Sequence, residues 1–389
     1  MPESVSASPR LFVTLTAPSF GRVHLGPAKD GTLRACHPAR HGAVACGRFH
    51  RVGDGLIDTP LDPDSYDYAG QVLFNACAGA LWSRFVLETR RALAEHGGIP
   101  RSQLGRHVAV SFAKVAEFQG RGVVHLHAVV RLDGPDGAGS VAPSWADAAA
   151  LAEAVGQAVS RASVRTPDSG TCRSRVLRWG VQIDVREIGG GGVSSLLDGA
   201  VARYVAKYAT KSTEAAGLEL SPLACRSCGG SGRVRLDEAE VPERFCPRCH
   251  GHGRRDGVSW LDDPGLTGHA RRLVETCWRL GGLPGLEELK LRRWAHMLGF
   301  RGHFATKSRT YSVTFTALRE RRAVFNTLLQ HAGLGLPVSA ESVLVVGDWR
   351  YAGRGVVADV DSASIASALR GPQLPERVPV VDGAVADAW

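Results

Sequence analysis

Val108-Ala-Val-Ser-Phe-Ala-Lys-Val-Ala-Glu-Phe118 and Val123-Val-His-Leu-His-Ala-Val-Val-Arg-Leu132, joined by Gln119-Gly-Arg-Gly122, decide how this chain folds. Both runs are apolar and rich in β-branched residues, and glycine supplies the positive backbone angles of a tight connection, so the stretch reads as a β-hairpin. Asp133-Gly-Pro-Asp-Gly137 then closes the second strand with turn residues. Side chains alternate faces along a strand, so His125 and His127 point the same way. Imidazole binds divalent first-row metals, and the hairpin can bring Glu117, eight residues before His125, alongside as a third ligand; Gln119 and His107 are the reserves. Three protein ligands would leave positions open for a phosphate oxygen. An isolated His-x-His is as readily a pair of polar-face histidines, but Glu-x7-His-x-His across a glycine turn is more specific.

Outward from the hairpin, Leu11-Phe-Val-Thr-Leu-Thr16 reads as a strand stopped by Ala17-Pro18, and residues 21–65, rich in Gly, Pro, Asp and His, read as a long insertion. Val72, Leu73, Ala76, Leu81, Phe85 and Leu87 recur near helical spacing, predicting a helix from Tyr68 to about His96 that Gly97-Gly98 ends. An alanine-rich helix follows from about Trp145 to Ala162, then a strand from Trp179 to Ile188, a glycine joint over 189–192 and a helix from Leu196 to Thr210. Leu261 to Leu298 reads as helical with breaks, and the tail beyond Gly353 is poorly patterned. The fold class is α+β, an antiparallel sheet flanked by helices.

Arg203-Tyr204-Val-Ala-Lys207-Tyr208-Ala-Thr-Lys211 places two tyrosines and two lysines each four apart on one predicted helix. Residues at i and i+4 are surface neighbours, so Tyr204 and Tyr208 can address one site. A phenol with a pKa of about 10 is a poor nucleophile at neutral pH, and Lys207, Lys211 or a bound metal would favour its ionised form. An amphipathic helix with core tyrosines is the plainer account of an isolated Tyr-x3-Tyr.

Four of the nine cysteines form Cys225-Arg-Ser-Cys228 and Cys246-Pro-Arg-Cys249, separated by 17 residues, close to the spacing of four-thiolate zinc modules. With four thiolates the Zn²⁺ is structural, holding a segment short of apolar residues; Arg226, Arg233, Arg235, Arg248, Arg254 and Arg255 are its candidates for DNA contact. The glycines after each pair resemble the cysteine-rich region of DnaJ-type chaperones. Cys77, Cys172 and Cys277 read as ordinary buried residues. Downstream, Arg292, Arg293, Arg301, His303, Lys307 and Arg309 interleave with Trp294, Phe300, Phe304 and Tyr311, as a surface that neutralises phosphates and stacks bases would.

The 389 residues carry 47 Lys and Arg against 38 Asp and Glu, a net charge of +9 that suits a polyanionic partner. No stretch approaches the roughly 20 apolar residues of a membrane span, and the start lacks a signal-peptide pattern, so the expectation is a cytoplasmic protein without a membrane partner.

Three of these motifs, in order, resemble the HUH endonuclease superfamily: the strand ending Thr-Leu-Thr16, the His125-x-His127 strand, and the tyrosine helix from Tyr204 to Lys211, whose form is similar to two-tyrosine initiators. Tyr66-Asp-Tyr68, Lys114-Val-Ala-Glu-Phe-Gln119 through Gly134, and Phe300 to Arg309 resemble replication initiators of actinobacterial plasmids and integrative conjugative elements. The resemblance implies an HUH core over 10–220 behind a leader at 1–9, a zinc module at 221–256, a basic helical DNA-contact region at 257–352 and a flexible tail at 353–389. It also implies Mg²⁺ or Mn²⁺ at Glu117, His125 and His127, and attack by Tyr204, ranked ahead of Tyr208 on motif position, on single-stranded or extruded origin DNA. That attack would leave a 5′-phosphotyrosine and a 3′-hydroxyl for a host polymerase working with a host helicase. A relaxase or transposase of the same superfamily, and a non-catalytic zinc-ribbon DNA-binding protein, are the alternatives. Members of the family often carry a further Cys pair before Tyr-Asp-Tyr, where this chain has Asp62 and Ser65. Cys36 and Cys46 are thereby left without obvious partners; His37, His41 or His50 are the candidates to complete a site, but a tight N-terminal zinc is not expected.

Overall fold

The computed structural model describes residues 8–39, 44–189, 220–235, 243–255 and 266–308. All of them belong to the larger of two compact units, Ser4–Tyr311; the smaller, Met1–Glu3 with Ser312–Trp389, lies outside the described residues, as do most of the leader, the tyrosine helix and the tail.

The hairpin forms as expected. Strand β2 (Ala109–Phe118) pairs antiparallel with β3 (Val124–Asp133) over their whole length. Strand β1 (Arg10–Leu15) lies against the other edge of β3, and β6 (Ile183–Glu187) pairs with β1. A short strand, β9 (Ala305–Lys307), adds to the outer edge of β2, completing a five-stranded antiparallel sheet of order β6-β1-β3-β2-β9. One face is apolar: Val124, Leu126, Ala128, Val130 and Leu132 of β3 are at most 2% exposed and join Leu11, Val13 and Leu15 of β1 in the core. The odd-numbered residues of β3, His125 and His127 among them, occupy the opposite face.

Three helices complete the described unit. Helix α1 (Tyr68–His96) is capped by Asp67, whose carboxylate accepts from the Gly70 amide at 2.9 Å, and its first three turns are buried almost all round. Helices α2 (Ala148–Arg161) and α3 (Gly268–Leu280) pack against α1 and start at Asp147 and Thr267, side-chain caps of the expected kind. Buried polar side chains pin the hairpin turn to these helices. Asn75 of α1 donates to the carbonyl oxygens of Gly122 (2.9 Å) and Leu298 (3.0 Å) and accepts from the Val124 amide (3.1 Å). The Arg121 carbonyl takes Gln71 Nε2 and His269 Nε2 at 2.8 and 2.9 Å. Gly122, at φ +75°, admits nothing larger, because a Cβ there would lie 2.7 Å from Leu298 and 2.9 Å from Leu273.

Two segments differ from the sequence expectation. The strand read over Trp179–Ile188 is shorter, since only β6 forms within it and reaches the main sheet; just before it, β5 (Val176–Arg178) pairs with β4 (Ser163–Arg165) in a separate ribbon. Gly180 sits between β5 and β6, so close to the Ala17 carbonyl that a Cβ would lie 2.5 Å from its oxygen. Among its described residues, the downstream region read as helical holds α3 and two single 3₁₀ turns (Glu287–Leu289 and Ala295–Met297), followed by β9 on the sheet. No helix among the described residues is long and apolar enough to cross a membrane.

Lys114 is an oddity of the apolar face. It is 4% exposed, reaches only the His303 carbonyl, at 3.4 Å, among the described residues, and burial pushes its ammonium down to about 8. Its folded pKa lies below the unfolded value, so the burial penalty is present below pH 8 and fades as pH rises from there toward 10.5. Lys114→Met is therefore expected to stabilise the unit by about 1–3 kcal/mol at pH 7 and by much less above pH 10. Thermal melts of the two chains across that range measure it.

Candidate metal face and nucleic-acid interface

The register of the hairpin builds the candidate site. Glu117 lies directly opposite His125, and His127 lies opposite Val115 on one side and Thr14 of β1 on the other. Glu117, His125 and His127 thus share a face. Glu117 Oε2 sits 3.2 Å from His127 Nε2. The other ring nitrogen, Nδ1, meets the Thr14 hydroxyl at 3.1 Å, and Phe12 stacks on the ring at 6.0 Å. Asp184 of β6, opposite Thr14, extends the same row. The His125 ring lies 6.3 Å from that of His127, and its Nε2 is buried without a hydrogen-bond partner among the described residues.

Burial, followed by the neighbouring His127 and Arg121, pushes the His125 imidazole down to about 3. Burial also lowers His127, against the pull of Glu117. Both rings are therefore neutral at pH 7; the His125 Nε2 is available to a metal, and His127 Nε2 would exchange its hydrogen bond to Glu117 for one. By donor type the set suits a divalent cation, to which the unsatisfied His125 Nε2 could bind, but the ligating atoms of the three residues do not all lie within 4.8 Å of one another. Two other groups among the described residues converge more tightly, with their ligating atoms within 4.8 Å of one another: Cys225, Cys228, Cys246 and Cys249 form one, and His24, Cys36, Cys46 and His50 the other.

The four-cysteine module has the expected geometry. Cys225 and Cys246 sulfurs are 3.9 Å apart and those of Cys228 and Cys249 3.7 Å, close to the roughly 3.8 Å edge of a tetrahedron with zinc–sulfur bonds of about 2.3 Å. The two knuckles match: Gly232 donates its amide to Cys228 Sγ at 3.3 Å, and Gly253 to Cys249 Sγ at 3.2 Å. Strands β7 (Arg233–Arg235) and β8 (Glu243–Phe245) form the ribbon between them. Arg226, Arg248, Arg254 and Arg255 line a cavity of about 190 Å³ beside Cys225, a concentration of guanidinium groups suited to phosphate.

Tyr204, Tyr208, Lys207, Lys211, Arg203 and Arg309 lie outside the described residues. The other basic candidates separate. Arg292 is half-buried, donates to the carbonyls of Trp278 (2.9 Å) and Gly230 (3.1 Å), and stacks on Trp278, so it clamps the zinc module to α3. Arg301 donates to the Glu288 carbonyl at 2.5 Å, Arg293 lies over the Trp294 ring, and His303 is exposed just before β9, which carries Lys307.

A family model described as "RepSA: Replication initiator protein, pSAM2" matches residues 1–370. The chain belongs to this replication initiator family. A curated "Replication initiator protein" from Streptomyces ambofaciens is 42% identical to the initiator over 360 residues, which span 91% of this chain and 68% of the relative. No solved structure matches the initiator.

Sequence reasoning passed over Thr14 as the residue that orients His127, and over Asp184; only the tertiary pairing of β1 with β3 and β6 reveals them. For Cys36 and Cys46 it named His50 beside His37 and His41 but not His24, and expected no tight zinc, whereas the fold of this initiator brings both His24 and His50 to the two cysteines. The one local signal was Cys46-x3-His50, a spacing that two ligands of a small metal loop can share.

Proposed function

We propose that this replication initiator is an HUH-type nicking enzyme that starts rolling-circle replication through a tyrosine. The observation that carries the reading is the cross-strand placement of Glu117 beside His125 and His127 on one sheet face, with His127 held by Thr14 and the His125 Nε2 left unsatisfied. Glu117, His125 and His127 would hold Mg²⁺ or Mn²⁺, whose positive charge supports the scissile phosphate when bound.

Tyr204, from the Tyr-x2-Lys-Tyr-x2-Lys segment, attacks phosphorus through its phenolate oxygen. The bond to the 3′ oxygen breaks, that oxygen takes up a proton as a free hydroxyl, and the 5′ phosphate stays on the tyrosine. Lys207 and Lys211 favour the phenolate, and Tyr208 serves strand transfer at the end of the cycle. The substrate is a single-stranded or extruded origin, because a duplex phosphate is hard to bring in line with a phenol on the helix expected from Leu196 to Thr210. The arginine-lined cavity of the zinc module, with Arg203, Arg293, Arg301, His303, Lys307 and Arg309, supplies phosphate contacts, and Arg292 supports them from beneath. A host polymerase extends the 3′-hydroxyl and a host helicase opens the duplex.

The test is cleavage of labelled single strands tiled across the encoding replicon, with Mn²⁺ and with chelator. Metal-dependent cutting at one position supports the reading. Binding of the origin without cutting by folded, metal-loaded protein would leave the zinc-ribbon DNA-binding reading, which the ready four-thiolate geometry favours. Thr14→Val, which removes the hydroxyl on His127 Nδ1, is expected to raise the Mn²⁺ concentration needed for half-maximal cutting about 10–100-fold while excess metal restores the rate.

A further inference from the structure

Residues 21–65 hold a second cluster that the nicking reading does not use. His24 Nδ1, Cys36 Sγ, Cys46 Sγ and His50 Nε2 lie within 4.8 Å of one another. We infer that these four side chains bind a second structural zinc, which clips the insertion onto the turn of the His125–His127 hairpin.

The edges of the cluster are those of a zinc tetrahedron. The two nitrogens are 3.2 Å apart, Cys46 Sγ is 3.4 Å from His50 Nε2, and Cys36 Sγ is 3.7 Å from His24 Nδ1. Zinc bonds of about 2.0–2.1 Å to nitrogen and 2.3 Å to sulfur give edges of roughly 3.3 Å between nitrogens and 3.6 Å between nitrogen and sulfur. The surrounding contacts are those a bound metal needs. Asp54 Oδ2 holds His50 Nδ1 at 2.6 Å, which fixes the ring and leaves Nε2 to the cluster, and the Leu25 amide donates to Cys36 Sγ at 3.2 Å. Backbone bonds from Cys36 N to the Arg48 carbonyl and from Gly47 N to the Cys36 carbonyl close the loop between the two cysteines.

The segment has little else to hold it. Leu33, Val44, Phe49, Val52 and Leu56 are 37–88% exposed, so its described residues build no apolar core of their own. It nonetheless takes a definite place. Val23 bridges Pro60, and the Asp58 amide donates to the His24 carbonyl at 3.0 Å. The Asp58 carboxylate then lies over the hairpin turn, so close that a Cβ on Gly120 would collide with its Oδ2. The ligand His24 and the residue that covers the turn are thus joined by one backbone bond.

The test is zinc content of the full chain, purified reduced and without chelator, together with alkylation of Cys36 and Cys46 followed by peptide mass spectrometry. The expected result is about one zinc for each cluster, hence about two per chain, and protection of both thiols until a strong chelator is added. Cys36→Ser with Cys46→Ser should lose about one of the two. Asp54→Asn keeps every ligand and the fold, and should weaken retention of one zinc about 10–100-fold against a competing chelator. One zinc per chain in the wild type, free alkylation of Cys36 and Cys46 in zinc-loaded protein, or a Cys36–Cys46 disulfide would each overturn the inference.

Discussion

His125→Ala is expected to abolish nicking while leaving the protein as stable as before or more so. Its Nε2 is buried with no partner among the described residues, and an unsatisfied buried polar atom costs about 1–3 kcal/mol, which alanine removes. The side chain lies on the face opposite the apolar core, so its loss opens no cavity among Leu126, Ala128 and Val130. As a metal ligand, however, it supports the charge of the reacting phosphate, and losing such support slows cleavage at least about a hundredfold. His127→Ala should match it in activity but not in stability, because the His127 ring also bonds Thr14 and Glu117 and stacks on Phe12. Thermal melts beside single-turnover cleavage separate the two. Full activity in His125→Ala would remove it from the metal site.

The second large effect is expected from Cys225→Ser with Cys246→Ser. Structural zinc in small modules is worth on the order of 10 kcal/mol of folding free energy, and the described cysteine core holds little beyond its four sulfurs and Val234. The module over 220–255 should unfold, making the backbone at the already exposed Arg226, Arg248 and Arg254 cleavable by trypsin, while the sheet and α1 keep their protection. Dismantling the arginine cavity should weaken origin binding and flatten its dependence on salt by roughly one log unit for each phosphate the cavity had neutralised. Limited proteolysis and binding at several salt concentrations read these effects. Unchanged affinity would reduce the module to a clip held to α3 by Arg292.

The elements with a strong period were legible in the sequence. The hairpin and α1 fall where alternation and helical spacing put them, because each is long enough for its pattern to dominate local exceptions. Strand β9 was not, since three residues, Ala305-Thr-Lys307, carry no readable alternation and join the sheet only through pairing with β2. The strand read from Trp179 starts only at Ile183, after Gly180, whose Cα lies close against the Ala17 carbonyl. At the site, strand period alone put His125 and His127 on one face and the hairpin put Glu117 beside them. Thr14 could not be tied to His127 from sequence, because the pairing joins residues 113 apart. The same holds for His24 and Cys36, which have 11 residues between them and meet Cys46-x3-His50 only in the folded loop.

The most direct measurement is a denaturing gel for covalent protein–DNA adducts. Full-length protein with Mn²⁺ would be mixed with single strands from the replicon, beside Tyr204→Phe, Tyr208→Phe and the double variant. An adduct formed by the wild type, lost in the double variant and strongly reduced in Tyr204→Phe is the expected result. No adduct on any strand with folded, metal-loaded protein, or an adduct that survives in the double variant, would contradict tyrosine nicking by this initiator.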